Sequence, residues 1–298
     1  MTGDWKQDGV RRTRNRNGEG RLMKELCETL SFRFGEEIPV PPEKLQDTKT
    51  LAGMAGRRSF RRFTDQPVSL ELLKLLAGVA LSAPTKSDLQ QRDIIVIKDR
   101  DVRNKLNALL TGQDWIADAP EMLVFCGNNR RQRQIHGWRN RPFANDHLDA
   151  FFNAGVDAGI ALQAFVTAAE SVGLGCSPIS AIRNSSLEVS AILGLPGHVF
   201  AVAGLGLGWP AHDKPVALRL PLSATVHLDQ FKETDIEEQV RSYDDRRAGL
   251  QPMRTQRDET AFGTADPYTW SEDKARQYAR PERADFGEFV KMIGFRLI

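Results

Sequence analysis

Two runs without a single polar side chain, Ile94-Ile95-Val96-Ile97 and Met122-Leu123-Val124-Phe125-Cys126, constrain this chain more than any other feature. Each is too short for a globular helix and is bounded by charged or turn residues, the pattern of strands covered on both faces. Strands hidden on both sides need helices above and below them. Helical spacing supplies these over Leu22–Leu30, Thr50–Ala55, Leu70–Ser82 with Ser69 as N-cap, Val102–Leu110, Asp149–Val172 and Ser186–Leu193. Further strands are expected over Leu174–Ile179 and Val199–Gly208. The alternation predicts an α+β domain with a mixed central β-sheet flanked by helices. The longest helix carries Ala, Gly and Leu on nearly every face, so it is expected to be buried almost all round.

Composition narrows the class without naming a function. The 298 residues carry 41 Lys+Arg against 39 Asp+Glu, a net charge of +2, which gives no whole-domain basic footprint for nucleic acid. Cys27, Cys126 and Cys176 are far apart in sequence and lack metal-ligand spacing, which fits a reducing compartment. No export signal and no membrane span is read, so the expected location is the cytoplasm, and no metal site is expected. The chain divides into a mobile basic extension at 1–24, a main domain at 25–227 and an arm at 228–298. The arm is poor in aliphatic residues, and its isolated aromatics read as anchors on a surface built elsewhere.

Three motifs carry chemistry. Arg57-Arg58-Ser59-Phe60-Arg61-Arg62-Phe63 gathers guanidinium groups beside a hydroxyl between two aromatics, suited to a phosphate or equally to a solvated basic turn. Thr85-Lys86-Ser87-Asp88-Leu89-Gln90-Gln91 leads polar side chains into a buried strand, either to recognise a polar heterocycle or to satisfy helix-end carbonyls. Gly204-Leu205-Gly206-Leu207-Gly208-Trp209-Pro210 lacks the third glycine and the helix start of a dinucleotide loop; its alternating glycines indicate close approach of a neighbouring element or a cofactor ring.

In this order and spacing, together with Ala168-Ala169-Glu170-Ser171-Val172-Gly173-Leu174-Gly175, Ile182-Arg183-Asn184 and Arg219-Leu220-Pro221, the motifs resemble the nitroreductase family, in particular its NADPH-dependent flavin reductases and oxygen-insensitive nitroreductases. The resemblance implies FMN as cofactor and NADPH or NADH as co-substrate. It implies Arg57, Arg58, Ser59 and Arg219 at the phosphate, and Arg61 near flavin N1 and O2. Thr85, Ser87 and Gln113 match family polar contacts, and Pro178, Ile179, Ser180 and Ala181 match the segment facing N5 and O4. It implies a homodimer embraced by the C-terminal arm, and ping-pong hydride transfer through N5 to nitroaromatics, quinones or free flavin, with no catalytic side chain in the narrow sense. A reductive dehalogenase or flavin-modifying enzyme of the same fold, or a non-catalytic FMN carrier or redox sensor, are the alternatives. The chain departs from the family at Ala217-Leu218, where Lys-Pro is common, and at Ser180-Ala181, where Gly-Gly is common. Between Gly127 and His147, Arg130, Arg131, Arg133, Arg139 and Arg141 face one Asp146, which suggests a mobile lid attracting the nucleotide.

Overall fold

The computed structural model describes residues 16–43, 45 and 47–298, so most of the basic extension, residues 1–15, lies outside the described residues. Four strands, β1 (Arg92–Ile97), β2 (Glu121–Asn128), β3 (Gly175–Ile179) and β4 (Val199–Gly208), form one sheet in the order β1-β2-β4-β3. Twelve helices are described. The first six are α1 (Arg16–Phe34), α2 (Lys49–Ala55), α3 (Leu70–Leu81), α4 (Arg100–Leu109), α5 (Trp115–Asp118) and α6 (Arg130–Trp138). They are followed by α7 (Leu148–Ser171), α8 (Ser186–Leu193), α9 (Ile236–Leu250), α10 (Glu259–Phe262), α11 (Trp270–Tyr278) and α12 (Phe286–Met292).

Every ladder between the strands is antiparallel, with β2 and β3 running the same way on either side of β4. The parallel component expected of a mixed sheet is confined to one bridge outside the strands, Ser59 to Cys176. β2 is buried along its whole length. Because side chains alternate across a strand, its Leu123 and Phe125 join α3 and α7 on one face, where Phe125 meets Phe165 edge-on at 5.7 Å. Met122, Val124 and Cys126 join Leu106, Ile116, Ile182 and Val189 from α4, α5, α8 and the turn before α8 on the other face. The sheet is thus the middle of three layers.

Ser69 caps α3, its hydroxyl accepting from Leu72 N at 3.1 Å. α1 begins at Arg16, ahead of the apolar pattern that starts at Leu22. α7 is less enclosed than its composition suggests. Ala154, Ala158, Ala161 and Phe165 are fully buried, but Leu148, Phe152 and Val156 are exposed, and open space surrounds Gly155 and Gly159. By length and composition alone α7 could cross a membrane; here it packs on β1 and β2 and carries a fully buried Asp157.

Several aromatic anchors of the C-terminal segment are seated on this chain, whereas Phe231 and Tyr278 are exposed. Phe289, Val290 and Phe295 close over Ala150, Ala154 and Phe200. Tyr243 and Trp270 meet edge-on at 5.1 Å, and the Tyr243 hydroxyl donates to Leu218 O at 3.3 Å.

Candidate functional site

After α2 the chain turns at Gly56 and runs as an extended strap along the sheet edge formed by the starts of β3 and the end of β4. Phe60 N donates to Cys176 O at 3.0 Å and Thr64 N to Trp209 O at 2.8 Å, while Phe63 bridges to Pro210. The two aromatics fix the strap by lying on glycines. A Cβ at Gly175 would stand 2.7 Å from the Phe60 ring, and one at Gly208 would stand 3.1 Å from Phe63 and 2.7 Å from Pro120. A Cβ at Gly206 would press on Trp115 at 3.0 Å, so the alternating glycines of β4 admit α5 and its flanks.

The strap places cations in excess. Arg33, almost wholly buried at the end of α1, donates to Ala55 O at 2.8 Å, Arg57 O at 2.9 Å and Ala217 O at 3.1 Å. Burial pushes its pKa down, and Arg219, Arg57 and Arg58 push it further the same way, with Glu170 opposing. Glu170, at the end of α7, accepts from Arg57 Nη2 at 3.2 Å. Burial raises its carboxyl above the usual range against the pull of Arg57, Arg33 and Arg58. Three guanidinium groups, those of Arg57, Arg33 and Arg58, therefore share one internal carboxylate. The Nε atoms of Arg57 and Arg58 are buried and have no partner among the described residues, although Arg58 Nη1 reaches the exposed Asp213 at 3.1 Å. A cavity of 340 Å³ opens beside them, lined by Gly56, Arg57, Arg58, Phe60 and Glu170. Arg219 is exposed; its backbone N–H donates to Arg33 O at 2.8 Å, which brings its segment against α1.

Further along the strap, the Arg61 guanidinium sits 5.5 Å from the centre of the Trp115 ring. Gln113 lies two residues before that tryptophan, and its carbonyl accepts from Ile116 N at 2.9 Å at the start of α5. The parallel bridge at Ser59 sets Arg61 level with Pro178 at the end of β3. Ile179 is buried against Gly204, whereas Pro178 and Ser180 are exposed and Ala181 is half-buried in the single 3-10 turn Ser180–Arg183.

Thr85 and Ser87 lie elsewhere. Thr85 donates its hydroxyl to Asp157, in the middle of α7, whereas Arg57 meets Glu170 at the end of the same helix. Thirteen residues of helix separate those carboxylates, about 20 Å along the axis at 1.5 Å per residue. The site residues expected from sequence therefore form two groups, one of Arg57, Arg58, Ser59, Arg61, Gln113, Pro178–Ala181 and Arg219, the other of Thr85 and Ser87.

The arginine-rich segment is not a free lid. Gly127 and Asn128 end β2 and Arg130–Trp138 form α6. Arg131 pairs with Asp93 at 2.6 Å, and Arg133 pairs with Asp146 at 2.6 Å beneath Phe143. Arg130, Arg139 and Arg141 are exposed and their side chains have no bonded partner among the described residues. Arg33, Glu170, Asp157 and Trp115 were not singled out as functional residues in the sequence. Asp157 did leave a trace there, as the one charged residue between Asp149 and Glu170.

With this geometry in view, comparison with known proteins defines first a class and then a family. The chain is 35% identical over 249 residues to the oxygen-insensitive NADPH nitroreductase of Salmonella typhimurium, covering 83% of this chain and 98% of that protein. It is 31% identical to an FMN reductase [NAD(P)H] of Bacillus subtilis, covering 84% and 98%. The structure of the NADPH:FMN oxidoreductase of Vibrio harveyi, solved with NAD+, superposes with a TM-score of 0.72 at 28% identity, covering 82% of this chain and 97% of that one. These relatives place the chain among oxidoreductase enzymes. It belongs to the nitroreductase family, whose family model matches residues 54–209 and whose C-terminal domain model matches residues 218–298.

Proposed function

We propose that this chain is an FMN-dependent NAD(P)H oxidoreductase whose acceptors are nitroaromatics, quinones or free flavin, and that it works as a homodimer in the cytoplasm. The observation that carries the reading is the excess of guanidinium groups around the strap: two buried Nε donors without partners among the described residues, beside a cavity, with one carboxylate shared by three arginines. A dianionic phosphate matches that deficit in charge and in donors. Arg57, Arg58 and Arg219 would hold the phosphate of FMN with the Ser59 hydroxyl. Arg61 would lend positive charge to the ring, and the backbone of Pro178–Ala181 would line it. Bound FMN supplies the redox chemistry, accepting hydride from a reduced nicotinamide and delivering it to the acceptor. The residues of this chain bind, orient and polarise, and no side chain acts as acid, base or nucleophile.

Thr85 is anchored at Asp157 and Arg57 at Glu170, about 20 Å apart along the axis of α7, so within one chain the turn of Thr85 and Ser87 and the arginines of the strap stand at different levels of that helix. A second copy related by a two-fold axis would bring Thr85 and Ser87 to the strap of its partner. The exposed apolar residues Leu75 and Val79 of α3, and Phe152 and Val156 of α7, support such a contact. Three free, buried cysteines suit a reducing cytoplasm, where pyridine nucleotides are available.

The decisive experiment is a visible spectrum of the purified protein after incubation with FMN, then anaerobic titration with NADPH and with NADH. Flavin bands that bleach with nicotinamide and recover on adding a quinone or nitroaromatic are expected. A protein that takes up no FMN overturns the reading, and one that binds FMN without bleaching is a carrier. For the nucleotide, Arg130, Arg139 and Arg141 are the free cations of the arginine-rich segment, in place of the paired Arg131 and Arg133. Replacing these three by Ala is expected to raise KM for NADPH about ten-fold, as loss of one charge-assisted contact would, with little change for NADH. An equal rise for both nucleotides would show that the 2′-phosphate is not what they recognise.

A further inference from the structure

We infer that Asp157 is a positioning residue for the cofactor: it builds the turn that presents Ser87 to the flavin, an inference that rests on the function proposed above. The carboxylate is fully buried in the middle of α7 and is met by three donors of one loop, the Thr85 hydroxyl, Lys86 N at 2.9 Å and Gln91 N at 3.0 Å. The first and last turns of residues 85–91 are thereby tied to one side chain. Arg92, equally buried, stands 3.9 Å from Asp157 and donates to Leu81 O at 2.8 Å and Ala83 O at 2.9 Å, so the same pair holds the end of α3 to the loop.

What lies between those ties is a conformation the sequence does not favour. Ser87, Asp88 and Gln90 all have left-handed backbone, with φ of 47°, 56° and 53°, where residues with a Cβ rarely rest. Three such residues within four persist only if the surroundings over-determine them. From the opposite side α6 does the rest, with Arg131 donating to Gln90 O at 2.7 Å and Gln132 to Leu89 O at 2.7 Å. Side chains from α6 and α7 thus add to the turn's own backbone bonds, Leu89 N to Lys86 O at 2.9 Å and Asp88 N to Thr85 O at 3.4 Å. The result leaves Ser87 exposed at its tip.

The same geometry changes the part played by Thr85. Its hydroxyl proton is committed to Asp157 while its oxygen accepts from Gln90 N at 2.9 Å. Thr85 cannot donate to a ligand in this arrangement. It acts through the turn, and Ser87 and the neighbouring backbone carry the contact.

The test compares Asp157→Asn with Phe165→Leu, a substitution on the same helix away from the loop. Amide hydrogen exchange is measured at Lys86 and Gln91, FMN affinity by fluorescence titration, and the bound flavin by its visible circular dichroism. Asp157→Asn keeps size but presents donors to donors, so the two amides are expected to exchange much faster, FMN to bind about ten-fold more weakly and the dichroism of the bound flavin to change. Phe165→Leu is expected to lose thermal stability while leaving all three readouts as in the wild type. Thr85→Val, which removes one donor only, gives a smaller change in the same direction and serves if Asp157→Asn does not fold. Wild-type amide protection together with wild-type FMN affinity in a folded Asp157→Asn, or in Thr85→Val where the former does not fold, overturns the inference. Failure of the wild type to bind FMN overturns the proposed function instead, and the exchange data then still report whether Asp157 holds the turn.

Discussion

Replacing Arg57 and Arg58 together by Ala is expected to weaken FMN binding by at least about 100-fold and to leave riboflavin binding within about three-fold of the wild type. A charge-assisted hydrogen bond contributes about 1.5–3 kcal/mol, so two of them amount to about 3–6 kcal/mol, or 10²–10⁴ in Kd. Both side chains are partly exposed, at 21% and 32%, which argues for the lower half of that range. The strap itself should survive, because it is held by backbone bonds from Phe60 and Thr64 and by two aromatics on glycines, none of which involves a guanidinium. The substitution does leave Glu170 without its nearest cation, although Arg33 remains beside it. Riboflavin is the control that gives the experiment its meaning, since it carries the ring without the phosphate. Equal losses for FMN and riboflavin would place the arginines at the ring or show that the strap has moved. An FMN affinity close to wild type would remove the phosphate assignment.

The parts of this molecule that were legible in sequence are those written in local pattern. The all-apolar run 122–126 became β2, buried on both faces, and the apolar period after Ser69 became a capped helix. Strand direction was less legible. A helix between two strands suggests a parallel crossover, yet β3 and β4, joined through α8, are antiparallel neighbours, because pairing direction is decided by tertiary packing that no local period encodes. α6 was missed for a different reason: its residues are nearly all polar, so it has no apolar stripe, and its position is set by Arg131 and Arg133 reaching carboxylates on other elements. The strap was visible as a cluster of charges, but the residues that aim it were not. Arg33 lies 24 positions before Arg57, and Glu170 lies 113 after it. Contacts at such separations become visible only when the sheet brings the segments together.

Arg33 is where that long-range organisation is most exposed to test. Arg33→Met is expected to lower the stability of the folded protein by about 3–5 kcal/mol, the lower half of what three carbonyls, those of Ala55, Arg57 and Ala217, would cost at about 1–3 kcal/mol each when left unpaired, because water reaches those that are only part-buried. At about 2–4 °C per kcal/mol in a domain of this size, the fall in Tm should be on the order of 10 °C. One effect runs the other way. Arg33 is repelled by Arg219, Arg57 and Arg58, so removing its charge relieves part of that strain. The fork is the larger contribution, because three bonds from one planar group join the end of α2, the strap and the segment carrying Arg219, whereas the three arginines that repel Arg33 are themselves partly solvated. Arg33→Lys separates the two effects. It keeps the charge and the repulsion but cannot reach three carbonyls at once, so it should be nearly as unstable as Arg33→Met if the fork dominates. FMN affinity should fall in both variants, as Arg57 and Arg219 lose their common support. A Tm within about 2 °C of wild type for Arg33→Met would mean that water replaces the guanidinium without cost, and that the strap is positioned by Phe60 and Phe63 alone.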